Sequence, residues 1–538
     1  MAARPRAFLW RLRRAGPAAL TIAPHDLRTA DPTRAEDIYA GYYVFGGRLV
    51  DGGGRPPFDI VPPSRGFARE LSGFAWLRHL RAAGTALART NAQALIADFI
   101  AAERRLRAGP AGEPAVTARR ILSWLGHSSF ILDGAEPEFH HAFLRALGRD
   151  AAHLSSRLAE TIGAERLLAA IALTELTLCA DLGAVAARRA TSLLVDELTR
   201  QISADGGHVG RNPQTLVDLL LDLLPLRYTF AARQLPVPPA ILHAIDRVIP
   251  MLRQLRHGDG SLALFNGMGL TEPDHLATVL SFADPRGGAL LHAPQAGYER
   301  LEGEDALLIV DTGAPPPPRL SRRAHAGVLA FEFSLGTDRV VVNCGAPSRG
   351  QPAARQAARQ TAAHSTLVID DTSSCRFAGS RGVESLAEGQ IVVGPSELGV
   401  ERRDGSDGMA LDLHHDGYAR RFGLLHRRRL LLARDGGRLA GEDALMAATW
   451  PGEDVASGFA LRFHLHPSVT AEPAPDGRGL LLRLASGRTL VFQAGQAEIS
   501  LEESVFFAAP TGTQRTQQIV VAGDARPDAA VAWSFTQV

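Results

Sequence analysis

The chain has 538 residues, about three and a half times the ~150 residues usual for one domain, with 46% hydrophobic and 21% charged residues, which excludes a disordered, collagen-like or disulfide-stapled protein. Its 58 basic and 57 acidic residues leave a net charge of +1, so no global field gathers nucleic acid or a membrane surface, and a polyanion must be met by a local arginine cluster. Every basic residue is Arg, which excludes Schiff-base, pyridoxal-phosphate and lysine phosphate-loop chemistry.

The start, 1–32, carries Arg4, Arg6, Arg11, Arg13 and Arg14 ahead of a short apolar run, 18–23. That run is too short for a signal sequence, so the start reads as cytoplasmic. No stretch approaches ~18 uninterrupted apolar residues, so no membrane insertion is expected. From about Phe67 to Phe282 the apolar residues fall at helical spacing. Ile241, Ile245, Val248, Leu252 and Leu255 make one stripe, entered through Pro236, Pro238 and Pro239 and expected to kink at Pro250. Leu194, Leu198 and Ile202 make a second stripe, and Leu216, Leu219, Leu220, Leu223 and Leu224 a third. After the turn cluster 284–288 the period shortens to 2. Leu329, Phe331 and Phe333 alternate with Ala330, Glu332 and Ser334, and the 336–338 turn leads to a second run as in a hairpin. Phe459 to Leu465 alternates likewise, and Ser486-Gly487 separates two more runs. The pattern predicts an all-helical domain (bundle, solenoid or toroid), followed by an antiparallel β-sandwich. The boundaries are 1–66 for an N-terminal extension, 67–285 for the helices and 286–538 for the sandwich.

Four places could carry chemistry. The loop 205–213, Asp-Gly-Gly-His-Val-Gly-Arg-Asn-Pro, offers His208 as acid or base, Arg211 as a bidentate carboxylate clamp and Asn212 as a neutral partner; read as structure, it is a helix-to-helix turn with Asn212-Pro213 opening the next helix. The segment Arg256-His257-Gly258-Asp259-Gly260-Ser261, followed by Phe265-Asn266-Gly267, offers His257, against the plainer reading of a helix C-cap. His325, Asn343 and His364 lie at run ends; if those strands are neighbours, two imidazoles and an amide form a set that zinc could use, although separated histidines are more often structural. His464 and His466 share a strand face with Arg462, which reads as a solvated face. The cysteines Cys179, Cys344 and Cys375 are too few for a disulfide framework.

Taken together, the order of a helical half, the 205–213 loop, His325, Val342-Asn343-Cys344-Gly345, the run 362–370, Arg427-Arg428-Arg429-Leu430 and Phe463-His464-Leu465-His466-Pro467 resembles the bacterial heparinase II/III-like family. The resemblance implies an (α/α) toroid followed by a β-sandwich, and a lyase that cleaves uronate-containing polysaccharides by β-elimination. In that chemistry a base takes the C5 proton, a neighbour neutralises the carboxylate, and an acid assists departure of the C4 oxygen. It also implies, in some relatives, a zinc in the β-domain, here at His325, Asn343 and His364. The chain departs from the family pattern at definite positions. Arg323 and Gly327 stand where His-x-His-x-Asp has its first His and its Asp, Asn343 replaces a carboxylate, and Thr215 stands where relatives carry a Tyr. His208, His257 and Tyr228 are the available replacements for that Tyr, and Arg211 and Arg323 the available carboxylate clamps. The leading reading is a lyase on an anionic polysaccharide. The alternative is a catalytically weakened carbohydrate-binding or exopolysaccharide-biogenesis protein, and a third class is a glycoside hydrolase using Asp205 and Asp259. Secreted degradation would make the periplasm the alternative location.

Overall fold

The computed structural model describes residues 16–282, 284, 287–347, 351–379, 387–475 and 477–538. The five arginines of the first 15 residues, and Pro285 and Arg286 of the expected turn cluster, lie outside the described residues. The chain divides into two compact units that interleave in sequence. One holds 1–202, 217–246 and 274–282; the other holds 203–216, 247–273 and 283–538.

The first unit is helical. Pro114–Gly126, Pro137–Ser156, Pro213–Ala232, Pro239–Gln254 and Pro273–Ser281 each open on proline, where the missing N–H costs nothing and φ is already set for a helix. The Pro239–Gln254 helix buries Ile241, Ile245, Val248 and Leu252 and runs as one element through Pro250. In Ala184–Gln201 the stripe is Leu194 and Leu198, with Ile202 one residue past the end. Trp124 is a hub of this core, stacked on Phe143 at 4.9 Å and edge-on to Phe74 at 5.4 Å, a geometry that adds to plain area burial. An antiparallel hairpin, Tyr42–Phe45 with Arg48–Asp51, belongs to the N-terminal extension. No helix among the described residues is long and apolar enough to cross a membrane.

The second unit is built on two antiparallel sheets. The first runs Glu498–Phe506, Gln514–Asp524, Gly458–Leu465, Asp338–Val342, Phe331–Leu335, Ala306–Asp311, Tyr298–Glu302 and His292–Ala293, with Leu367–Ile369 also pairing with Gly458–Leu465. The second runs Leu398–Asp404, Gly408–His415, Leu424–Ala433, Arg438–Ala447, Ala530–Gln537, Thr489–Gln493, Leu480–Arg483 and Thr470–Pro473. Phe331, Phe333 and Phe463 from one sheet share a single core cluster with Phe492, Trp533 and Phe535 from the other. The expected hairpin is present, with Leu335 opposite Asp338 across a two-residue turn. Two details of the expected alternation are corrected. Leu329 is no strand residue but sits in the left-handed region at φ 61°, and Glu332 and Ser334 on the polar face are fully buried. A buried polar face needs partners, and the loop that follows the Pro239–Gln254 helix supplies one.

Candidate functional site

The 203–212 loop is fastened to the β-unit by its own polar groups. Asp205 accepts from the backbone N–H groups of Gln295 at 2.8 Å and Ala296 at 2.9 Å, and from the Ser203 hydroxyl. Arg211, at φ 58°, does clamp a carboxylate, but it is the chain's own Asp311 at 2.5 Å. Its remaining donors go to the carbonyls of Ala296 (2.9 Å), Gly297 (2.8 Å), Gly313 (2.8 Å) and Ala314 (3.0 Å). A guanidinium has five N–H groups, and all five are used. The face of that guanidinium lies 4.8 Å over the ring of Tyr298. Asn212 accepts the N–H of Gln214 at 2.9 Å and so caps the Pro213–Ala232 helix. His208 Nδ1 accepts the Gly210 N–H at 2.9 Å, which puts the ring proton on Nε2. Burial holds this imidazole neutral, with its pKa down at about 4.

His257 is equally committed. A carboxylate only accepts, so Nε2 donates to Glu332 at 3.0 Å and Nδ1 accepts from the Ser334 hydroxyl at 3.0 Å. Glu332 also takes Arg339, the Asn343 N–H at 2.9 Å and the Asn343 amide at 3.2 Å. Burial pushes the Glu332 carboxyl up, but Arg339 and these hydrogen bonds outweigh it and hold the pKa at about 2. The expected helix C-cap role therefore gives way to a buried ion cluster beneath the loop. Asp259 spends its carboxylate on the Ser261 N–H at 2.8 Å and the Ser261 hydroxyl at 2.7 Å. With Asp205 also occupied by backbone N–H groups, neither carboxylate of the hydrolase reading is left bare.

Of the three residues expected at a metal, the structure brings together two. His364 Nδ1 donates to the Gln360 carbonyl at 2.8 Å, so its Nε2 is bare and accepts from His325 Nδ1 at 3.1 Å. Burial lowers His325 well below the usual imidazole range and His364 to about 4. Asn343 is directed elsewhere: its oxygen accepts the Ser365 N–H at 3.0 Å and its NH2 faces Glu332. Gly327, where the family has an acid, has no room for a side chain, because a Cβ there would lie 2.6 Å from the His364 ring. Among the described residues no group of three His, Cys, Asp or Glu could hold a metal ion. This donor set, two imidazoles bonded to each other and no carboxylate, does not fit zinc. Arg323 is exposed at the end of the short helical turn Pro318–Arg323, and its carbonyl packs against Gly267.

Sequence reasoning placed Asn266 in the second candidate segment without giving it a role, and missed Tyr298, Asp311 and Glu332. Tyr298 donates its hydroxyl to the Arg211 carbonyl at 2.6 Å and accepts from Asn266 at 3.2 Å. Burial pushes that phenol well above its ordinary range. Asn266 also donates to Asp311 at 3.0 Å. Together with Gly207, Pro213, Leu216, Met251 and Leu255, the residues His208, Arg211, Asn212 and Tyr298 line a small cavity. Tyr228 lies on the Pro213–Ala232 helix, 45% exposed and beside Phe282. His464, expected on a solvated face, is buried: it bonds the Ser504 hydroxyl at 2.7 Å and the Ala362 carbonyl at 3.0 Å. Alternation hid Glu332, which reads as the solvent face of the Phe331–Leu335 strand, while Asp311 closes the unbroken apolar run Ala306–Asp311 and reads as the polar end of that strand.

Residues 285–534 match the family model for the heparinase II/III-like C-terminal domain. FtsZ-localized protein C of Caulobacter vibrioides (strain NA1000 / CB15N) is 33% identical over 535 residues, covering 97% of this chain and 91% of that protein. Among solved structures, heparinase III matches 99% of this chain and 89% of its own at a TM-score of 0.72 and 14% identity. A mutant of the heparan sulfate lyase HepC from Pedobacter heparinus matches 99% of this chain and 88% of its own, at 0.63 and 16%. At these identities the structural matches speak for the fold alone.

Proposed function

We propose, for a chain that belongs to the heparinase II/III-like family, that it keeps the fold of a polysaccharide lyase while the elimination chemistry has been given up, and that it works at FtsZ structures as its Caulobacter relative does. The observation that carries this reading is the state of Arg211. The residue best suited to neutralise a uronate carboxylate has all five N–H groups inside the chain, one of them on Asp311 at 2.5 Å, so an incoming carboxylate would have to displace a buried ion pair. The other candidates support the same reading. His257 and Asn343 are tied to Glu332, and Tyr298, the tyrosine at the loop, donates to a backbone carbonyl and is held protonated by burial. Full-length similarity to an FtsZ-localized protein gives the positive half of the proposal. The test is a fluorescent fusion of the full chain in its own cells, with FtsZ labelled in a second colour. The reading expects the fusion at FtsZ structures; an even distribution that ignores FtsZ overturns it.

One observation favours a second reading. His325 Nε2 makes no hydrogen bond among the described residues, and the ring is oriented through His364 to the Gln360 carbonyl. An imidazole held in one tautomer with a bare nitrogen has the form of a general base. In that reading His325 takes the C5 proton of a uronate and Asn212 hydrogen-bonds the carboxylate. Lyase activity abolished by His325→Ala would establish it.

A further inference from the structure

The edge of a sheet presents unpaired N–H and C=O groups, and folds blunt such edges with short strands, proline or charge. Three of the four end strands of these two sheets are treated in that way, and Leu367–Ile369, which pairs on one side with Gly458–Leu465, has only three residues. His292–Ala293 has two residues, Thr470–Pro473 has four and ends on proline, and Leu398–Asp404 carries both signs of charge, paired within the strand at 3.0 Å as Arg402 with Asp404 and Arg403 with Glu401. The fourth, Glu498–Phe506, is different. It has nine residues without proline or glycine, and it pairs on one side only, in unbroken register from Glu498 opposite Ala522 to Phe506 opposite Gln514. Its far end is tied down where the Phe507 N–H meets the Cys344 carbonyl at 2.8 Å, so the open stretch is 498–503.

The side chains of this stretch are sorted by face. Glu498, Ser500 and Glu502 share the face on which Arg462 lies, 3.5 Å from Glu502. Ile499 and Leu501, half-buried against the margin of the sandwich core, share the other, which ends on the exposed Glu503. All charges on the stretch are negative, and neither Glu498 nor Glu503 has an ion pair among the described residues. Charge of a single sign repels a second copy of the same edge, while leaving a strand of opposite sign free to add. We propose that the 498–503 edge receives, as an added strand, an extended segment of a partner polypeptide that alternates basic and apolar residues. Strand addition places the guest's side chains on the same two faces, its basic residues beside Glu498 and Glu502 and its apolar residues extending the Ile499 and Leu501 surface. Main-chain hydrogen bonds supply affinity and the faces supply selectivity. Nothing in this proposal depends on elimination or on FtsZ.

The experiment is fluorescence anisotropy of the full chain with a labelled synthetic decapeptide of alternating Arg and Val. A Glu/Val peptide serves as control, together with two Arg/Val peptides N-methylated on one or the other set of alternate residues. In a β-strand successive N–H groups point to opposite sides, so only one methylated set blocks the ladder. The proposal expects the Arg/Val peptide to bind, the Glu/Val peptide to fail, one methylated peptide to lose about tenfold or more in affinity while the other keeps it, and Glu498→Lys with Glu502→Lys together to lose about as much. Three results overturn it: no binding of the Arg/Val peptide, equal binding of both methylated peptides, or undiminished binding by the double variant.

Discussion

The two sheets each bury a histidine, a carboxylate and an arginine, and comparing the two clusters shows what such a trio is for in this fold. In the Arg438–Ala447 sheet, Asp443 accepts from His426 at 2.6 Å, Arg428 at 2.7 Å and the Trp533 indole at 2.8 Å. Arg428 also reaches the carbonyls of Leu329 at 2.7 Å and Ser365 at 2.9 Å, so it ties the sandwich together from within. In the Phe331–Leu335 sheet, Glu332 accepts from His257, Arg339 and Asn343, so it ties a loop from the helical half of the sequence onto the sheet. In both clusters every carboxylate oxygen accepts a hydrogen bond. Against them the His325 and His364 pair stands out, because it ends on a ring nitrogen that accepts no hydrogen bond among the described residues. Residue type alone therefore does not separate a tether from a reactive group here. Hydrogen-bond saturation does.

Removing the carboxylate from each cluster separates their roles. Asp443→Asn leaves Arg428 buried without a counter-charge, and we expect it to cost about 3–5 kcal/mol in urea unfolding. Glu332→Gln should cost less, about 2–3 kcal/mol, since Arg339 keeps the Ser261 hydroxyl at 3.2 Å and is slightly exposed, whereas Arg428 is fully buried; a cost equal to or above that of Asp443→Asn would break the ranking. Acid titration should resolve the two kinds of group. Burial raises the Asp443 carboxyl and Arg428 outweighs it, and with Glu332 both fold to a pKa of about 2, below the ordinary 3.8 and 4.5. Their contribution is complete above those ordinary values and is lost as pH falls toward about 2. His208 folds with a pKa of about 4 against an ordinary 6.5, so the unfolded chain takes up its proton first and stability falls between those two values. Asp443→Asn should therefore flatten only the lower part of the stability profile, and His208→Asn only the upper part. The smallest effect belongs to His325→Gln, about 1 kcal/mol or less in the same assay, because the new amide can still donate to His364 and Nε2 had no bond to lose.

The helices and the hairpin were legible because their signals are local. The Ile241 stripe behind Pro239, and the alternation from Phe331 to Leu335 across a two-residue turn, each lie within a single element. The candidate site was legible only as a set of polar residues. Whether Arg211 faces a ligand or Asp311 depends on a contact across 100 positions, and His257 meets Glu332 across 75. Neither partner announces itself, because an acid in a strand reads as a solvated residue until another segment covers that face. At Arg323, Gly327 and Asn343 the sequence shows only that carboxylate and imidazole ligands are missing; that His325 and His364 then bond to each other depends on a contact across 39 positions.

We propose that the chain no longer eliminates. The most direct measurement incubates the full chain with heparan sulfate and other uronate-containing polysaccharides and follows the ultraviolet absorbance of the 4,5-unsaturated uronate that elimination must form. A chain that has given up elimination yields no signal above that of a buffer control with any of them. A signal from the unaltered chain that disappears with His325→Ala would contradict the proposal and make the chain an active lyase.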